Sequence, residues 1–281
     1  MQPPAFPLGH FYSPIVDTDD LEKRADTVWL PQPQCAGIDF DHASHLRVLT
    51  EWFPKYVGDY DYPDEGDAFD PKSFYNLNDQ FGWLDSRALF VFLRAMRPQR
   101  VVEIGSGYSS LLIADVNQRF LDGKCEFVCV EPYPREFLKR GIPGVSRLIE
   151  QRAELVAREE FANLQAGDIL FIDSSHVAKT GSDVNFLFFE ILPSLKPGVL
   201  VHVHDIFLPA EYPRQWVIDD NRSWNEQYVL RALLMFSTRF RVVFGCACAA
   251  LEHGDAVVKA LARADGRGMG GGSLWFRVQD A

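Results

Sequence analysis

From Arg100 onward the chain alternates short apolar runs with amphipathic segments, and this alternation constrains the fold more than any other feature. Val101–Ile104, Phe127–Val130, Ser146–Glu150, Asp168–Ile172, Val199–Val203, Phe240–Phe244 and Leu274–Val278 read as short strands. Between them Leu111–Phe120, Glu159–Leu164, Val184–Leu195 and Trp224–Phe236 read as helices, with Ala166-Gly167 and Pro197-Gly198 as turns. Apolar strands returning through helices form a mostly parallel, doubly wound sheet covered on both faces. The expected class is therefore α/β. The glycine-rich stretch 266–272 reads as a flexible connection between the last two strands, because no helix follows it.

Residues 1–82 differ: they are rich in Pro, Asp and aromatics and carry little periodicity. His45–Phe53 suggests a short helix, and Leu84–Met96 an amphipathic one that Pro98 stops. The acidic, aromatic stretch around Asp59–Asp70 reads as a solvated connector or as the rim of a pocket. The expected organisation is an N-terminal helical and irregular cap over 1–95 and a sheet domain over 96–281.

Composition narrows the partners. A net charge of −11, without a Lys/Arg cluster, lacks the footprint of nucleic-acid binding and the basic face of a membrane-surface binder. The longest nearly apolar stretch, Val242–Leu251, is half of the roughly 20 residues that a spanning helix needs. Five cysteines without paired CxxC spacing, and no basic-then-apolar leader at Met1-Gln2-Pro3-Pro4, point to reduced thiols in the cytoplasm. A small-molecule partner is expected, and a homo-oligomer is allowed.

The sharpest local feature is Glu103-Ile104-Gly105-Ser106-Gly107-Tyr108-Ser109-Ser110, between the first strand and its helix. Glycines there permit a tight turn and close approach to a ligand, and the helix start offers free N–H groups. Glu131 ends the next strand, 26 residues after Gly105, where a carboxylate can accept from ribose hydroxyls. A dinucleotide fold would want a third glycine where Ser110 stands. A nucleoside cofactor lacking a pyrophosphate needs it less.

The run Val101–Gly107 resembles the first motif of class I S-adenosylmethionine (SAM)-dependent methyltransferases. Ile172-Asp173-Ser174-Ser175-His176 and Val203-His204-Asp205-Ile206 are similar to the signatures of a bacterial small-molecule group. That group is similar to macrolide-sugar O-methyltransferases and cephalosporin-hydroxylase-like proteins. The resemblance spans about Arg100–Phe207 and implies a Rossmann-like, seven-stranded methyltransferase sheet, with 96–281 as the SAM-binding domain. It implies that Glu103, Gly105, Ser106 and Gly107, with the adjoining Tyr108 and Ser109, line the cofactor's methionine and ribose. Glu131 would hold the ribose diol, Pro132 would flank the adenine, Ala153 and Glu154 would lie at the adenine edge, and Asp173 would face the methionine end.

Strand ends are where open α/β sheets bind ligands, so Asp173, His176, His204 and Asp205 are the expected catalytic residues. Two carboxylates at neighbouring strand ends are costly to bury without a cation or ligand, so Asp173 and Asp205 could hold Mg²⁺ or another divalent ion. Related metal-dependent O-methyltransferases place a base three residues after the first aspartate, the spacing of His176. The chain departs from those patterns at Ser175, where a second acid would stand, and at Ile206, where an amide would stand. His202, mid-strand, reads as a core histidine, and His10, His42, His45 and His253 have no interpretable context. Tyr212, Arg214, Trp216 and Trp224 are candidates for an acceptor wall, and Asn76–Trp83 for a cap over it. The expected reaction is O-methylation of a sugar or natural-product hydroxyl. A hydroxylase-like or cyclising reaction on the same scaffold and a non-catalytic binding protein stay open, and a dehydrogenase is more distant.

Overall fold

The computed structural model describes residues 3–261 and 270–280. Seven strands form one sheet: β1 Arg100–Ile104, β2 Glu126–Val130, β3 Arg147–Ile149, β4 Ile169–Ile172, β5 Leu200–Val203, β6 Phe240–Gly245 and β7 Leu274–Val278. Their order is β3-β2-β1-β4-β5-β7-β6. Neighbours are parallel throughout except that β7 runs antiparallel to both β5 and β6. This is the Rossmann-like methyltransferase sheet that the alternation and the resemblance led us to expect. The order reverses at β1, and β1 and β4 are neighbours, so the carboxyl ends of β1, β2, β4 and β5 open onto one crevice.

Two apolar layers hold the sheet. On one face the helices Trp83–Met96 and Tyr108–Phe120 pack with the helical stretch that opens at His42 and with Cys246–Leu261. Phe92 stacks on Trp275 with ring centroids 4.4 Å apart, which fixes the N-terminal helix to β7. The opposite face buries Val184, Leu187, Phe188, Leu230 and Leu234 against Val102, Leu170 and Val201.

Helix boundaries moved where capping decides them. The helix expected from Leu111 starts at Tyr108, because the Gly107 N–H donates to Ser110 Oγ at 3.0 Å and turns the chain in earlier. The apolar run Val242–Leu251 divides at Gly245 into the end of β6 and the helix Cys246–Glu252. A single apolar run reads alike for strand and helix, so its periodicity hid that junction. Of the glycine-rich 266–272 stretch only 270–272 lie within the described residues. There the Ile206 N–H donates to the Gly272 carbonyl at 2.7 Å, so these residues are tied to the end of β5 rather than loose.

The acidic stretch packs against the two N-terminal-face helices. Arg94 pairs with Asp59 at 2.9 Å, Arg119 pairs with Asp61 at 2.8 Å, and the Tyr62 hydroxyl donates to Asp115 at 2.5 Å. It is an anchored connector, and none of residues 59–70 lines either cleft described below.

The described cysteines Cys35, Cys125, Cys129, Cys246 and Cys248 are all free thiols, and no described helix is long and apolar enough to cross a membrane.

Candidate active site

Two clefts meet at the carboxyl ends of the central strands. The first, about 320 Å³, is lined by Ile104, Gly105, Glu131, Pro132, Ala153, Glu154 and Asp173 among others. Its floor exists because Gly105 is a glycine. The residue sits at φ +78°, and a Cβ there would lie 1.7 Å from the Asp173 carbonyl oxygen. The loop therefore lies directly on the end of β4, and the Gly105 N–H donates to the Val130 carbonyl at 2.9 Å.

Glu131 is held by the loop it serves. Its carboxylate accepts from the Ser106 N–H at 3.1 Å and from the Tyr133 N–H at 2.8 Å. Two buried side-chain oxygens, Ser174 Oγ and Glu154 Oε2, have no hydrogen-bond partner within the protein, and both belong to residues lining this cleft. Buried polar atoms are normally satisfied, so these two mark where a polar ligand would supply the missing partners.

Not every expected cofactor residue reaches the cleft. Glu103 is fully buried behind the loop, accepting from Ser109 Oγ at 2.7 Å and Ser110 Oγ at 2.5 Å. Burial pushes its carboxyl up to about 7, against the lowering effect of those hydroxyls. Ser109 is thereby turned inward, and Tyr108 is buried with its hydroxyl 2.9 Å from that of Tyr75. These three support the loop from behind. Ser106 takes part through its backbone, and Gly107 borders open space, with Gln80 Oε1 the nearest atom at 3.9 Å from a Cβ built there.

The second cleft, about 440 Å³, is lined by Asn78, Asp79, Gln80, Gly82, Trp83, Asp85, His204, Asp205, Phe207, Trp216 and Gly270–Gly272. The segment expected as a cap does line it. The expected aromatic wall divides. Trp216 faces the cleft, Tyr212 is buried with its hydroxyl accepting from the Gln227 N–H, and Arg214 pairs with Glu22. Trp224 lies over the His176 ring at 4.3 Å.

Between the clefts the four expected catalytic side chains converge. His176 Nε2 lies 3.4 Å from Asp173 Oδ1 and 3.5 Å from Asp205 Oδ2. His204 Nδ1 lies 3.4 Å from Asp173 Oδ1 and 3.5 Å from Asp205 Oδ1. His176 and Asp205 both sit at positive φ, 59° and 57°. Non-glycine residues hold that conformation, at about 1–3 kcal/mol each, only where the surroundings over-determine it.

Two further carboxylates complete the network, and neither was singled out from the sequence. Glu226 Oε2 lies 2.9 Å from His176 Nδ1, and Asp85 Oδ2 lies 3.5 Å from His204 Nε2. Asp85 in turn accepts from the Gly272 N–H at 2.9 Å and the Ser273 N–H at 2.8 Å. A Cβ on Gly271 would stand 2.4 Å from Asp85 Oδ1, so only glycine lets the two segments close.

Burial alone would lower both imidazoles, but the carboxylates reverse it. Asp173 and Glu226 carry His176 up to about 10, and Asp205 and Asp173 carry His204 well above its ordinary value. Burial would raise Asp173, yet the two imidazoles hold it well below the carboxylate range. Burial prevails at Asp205 and Glu226, which are both raised. His202, by contrast, is a core residue: it stacks on Phe171 at 3.9 Å, bonds Ser273 Oγ at 2.8 Å, and is pushed well below its ordinary value by burial.

Residues 102–206 match a family model described as a methyltransferase domain. A chain of Archaeoglobus fulgidus, itself uncharacterized, is 39% identical over 153 residues, which span 54% of this chain and 66% of that one. A crystal structure assigned as an O-methyltransferase of Klebsiella pneumoniae is 17% identical, with a TM-score of 0.41, over 70% of this chain and 80% of that one. Another, assigned as a protein-L-isoaspartate O-methyltransferase of Plasmodium falciparum with bound S-adenosyl-L-homocysteine, is 14% identical, with a TM-score of 0.32, over 66% of this chain and 81% of that one. At those scores the two structures bear on neither substrate nor residue roles. The family match runs from β1 to the end of β5, the stretch that builds the first cleft and supplies Asp173, His176, His204 and Asp205. The residues that match the methyltransferase-domain model, 102–206, lie within the Rossmann-like sheet.

Proposed function

We propose that the chain is a SAM-dependent methyltransferase that O-methylates a hydroxylated small molecule, with 96–281 as the SAM-binding domain and 1–95 capping the acceptor side. The observation that carries this reading is the first cleft: a glycine loop lying on β4, an anchored Glu131, and two orphaned buried oxygens in one concavity. A nucleoside amino acid suits that donor and acceptor set. Glu131 would take the ribose diol, Pro132 and Ala153 would flank the base, and Glu154 and Ser174 would find their missing partners. The bound cofactor supplies an electrophilic methyl group.

The residues between the clefts would then do the rest. Asp173 lines the first cleft, and Asp205 and His204 line the second, so a methyl donor and a hydroxyl acceptor would meet across them. Holding the two in line is the main contribution, since such transfer needs alignment more than covalent help. Asp205, the carboxylate facing the second cleft that burial raises, is the group placed to take the hydroxyl proton, with His204 beside it. The aromatic and amide lining of that cleft suits a sugar-like or natural-product hydroxyl.

A thermal-shift comparison tests the reading. S-adenosylhomocysteine at about 100 times its dissociation constant would add about 2.7 kcal/mol, a rise of several degrees in Tm. NAD⁺ should give no rise. A rise with NAD⁺ alone would overturn it.

A further inference from the structure

We infer that a third cleft, walled by Arg47, Arg241 and Arg277, binds a dianionic phosphate group. It lies at the opposite end of the strands from the candidate active site, and the inference does not rest on the methyltransferase reading.

Three arginines far apart in the chain meet there, so no basic run announces the site in the sequence. Arg241 on β6 and Arg277 on β7 are direct antiparallel partners, and Arg277 also pairs with Leu200, the first residue of β5. Directly opposed residues project from the same face of a sheet. Arg47 comes from the helix His42–Arg47, which is tied to β6 where the Gly245 N–H donates to His45 Nε2 at 2.8 Å. The other end of the β6–β7 pair, Gly245 with Leu274, adjoins the Gly272 and Ser273 N–H groups that hold Asp85. The arginine cleft encloses about 430 Å³. That lies within the roughly 300–1,000 Å³ of small-molecule sites.

The arrangement is costly without a counter-charge, because like charges directly opposite on neighbouring strands destabilise a sheet. Asp41 relieves one arginine: its Oδ2 accepts from Arg241 Nε at 3.1 Å and Nη2 at 2.9 Å. No other acid lines the cleft. Three guanidinium groups less one carboxylate leave two positive charges together, in a chain whose net charge is −11. Arg47 donates to Ser44 Oγ at 3.2 Å, and Arg277 reaches the weakly accepting Met96 Sδ at 3.8 Å. Neither pairs with a carboxylate among the described residues. Arg277 Nε is buried with no partner within the protein. Burial and the neighbouring Arg47 hold the Arg277 guanidinium below its ordinary value.

These groups define the partner they lack. Guanidinium forks bind oxyanions in paired, charge-assisted hydrogen bonds, and the buried Arg277 Nε needs such an acceptor. A phosphate monoester carries a charge of about −1.5 to −2 near pH 7, which matches the two unbalanced cations. A carboxylate would balance one and leave the other. Trp52, half-buried and edge-on to Phe92 at 5.4 Å, adds an apolar wall for the organic part of an ester.

The test is a calorimetric titration of the full chain with phenyl phosphate, inorganic phosphate and benzoate. Saturable one-to-one binding of phenyl phosphate is expected, with benzoate, the same ring bearing a single charge, at least about tenfold weaker. Arg277→Gln and Arg47→Gln should each weaken phenyl phosphate by at least about tenfold while circular dichroism stays native. Arg47 is exposed in the last turn of its helix, so its variant reports the site even if Arg277→Gln does not fold. Lys139→Gln, which removes an exposed charge outside the cleft, should change the affinity by less than about twofold. Phenyl phosphate bound more tightly than inorganic phosphate identifies an organic ester as the ligand, and equal affinity identifies the free ion. Absence of saturable binding by either, benzoate bound as tightly as phenyl phosphate, or wild-type affinity in the arginine variants would each overturn the assignment.

Discussion

Asp85 Oδ2 and His204 Nε2 lie 3.5 Å apart, joining the first turn of the N-terminal-face helix Trp83–Met96 to the end of β5. Through this contact a segment outside the methyltransferase family match reaches the centre of the candidate site. The helix Trp83–Met96 is therefore part of the site's construction, and its loss would be felt there.

Asp85→Asn tests that link. The amide keeps an acceptor for one of the two N–H groups from Gly272 and Ser273 but removes the charge behind His204. We expect kcat/KM for methyl transfer to fall by at least about tenfold, because a hydrogen bond between charged groups contributes about 1.5–3 kcal/mol. S-adenosylhomocysteine affinity, measured calorimetrically, should stay within about twofold, since Asp85 does not line the first cleft.

Gly105→Ala should be severe. The substitution forces a side chain onto φ +78° and onto the Asp173 carbonyl. Strain at such a position costs about 1–3 kcal/mol before the clash is counted, and urea unfolding would read the loss. Cofactor binding should disappear even where the variant still folds.

Glu103 and His45 are expected to tilt stability in opposite directions with pH. Burial raises Glu103 to about 7 from 4.5, so between those values the folded chain holds a proton that the unfolded chain has lost. Stability therefore falls as pH rises from about 4.5 to 7, by at most about 3 kcal/mol for this group. His45 is lowered to about 4 from 6.5 by burial. Its contribution is complete above about 6.5 and is lost as pH falls toward 4. The two slopes oppose each other across the same window. Glu103→Gln should unmask a steeper loss toward acid, read as urea midpoints at pH 4.5, 5.5 and 7. A wild-type pH profile in that variant would contradict the assignment.

Much of this architecture was legible in the chain itself. All seven strands could be read, because each is a short apolar run bounded by turn or polar residues. The four central polar side chains could be read because two follow such a run directly, Asp173 after Ile172 and His204 after Val203, and His176 and Asp205 stand within three residues of them. Asp85 and Glu226 could not. Each stands in the first turn of a helix, where an acid is ordinarily explained by the helix dipole, so nothing local separates a partner of histidine from a routine helix start. Their roles arise only when the sheet brings helices from distant parts of the chain to the same strand ends. Glu103 shows the converse. Its place before Gly105 suggests a ligand-facing acid, but strand alternation turns it inward, onto Ser109 and Ser110.

The most direct test of the central claim is a calorimetric titration of S-adenosylhomocysteine into the wild-type chain and into Glu131→Ala. We expect saturable one-to-one binding to the wild type. The variant should bind at least about tenfold more weakly, since hydrogen bonds to a charged group contribute about 1.5–3 kcal/mol. Equal affinity in the two proteins would place the ligand elsewhere, and absence of heat in both would contradict a SAM site at the end of β1.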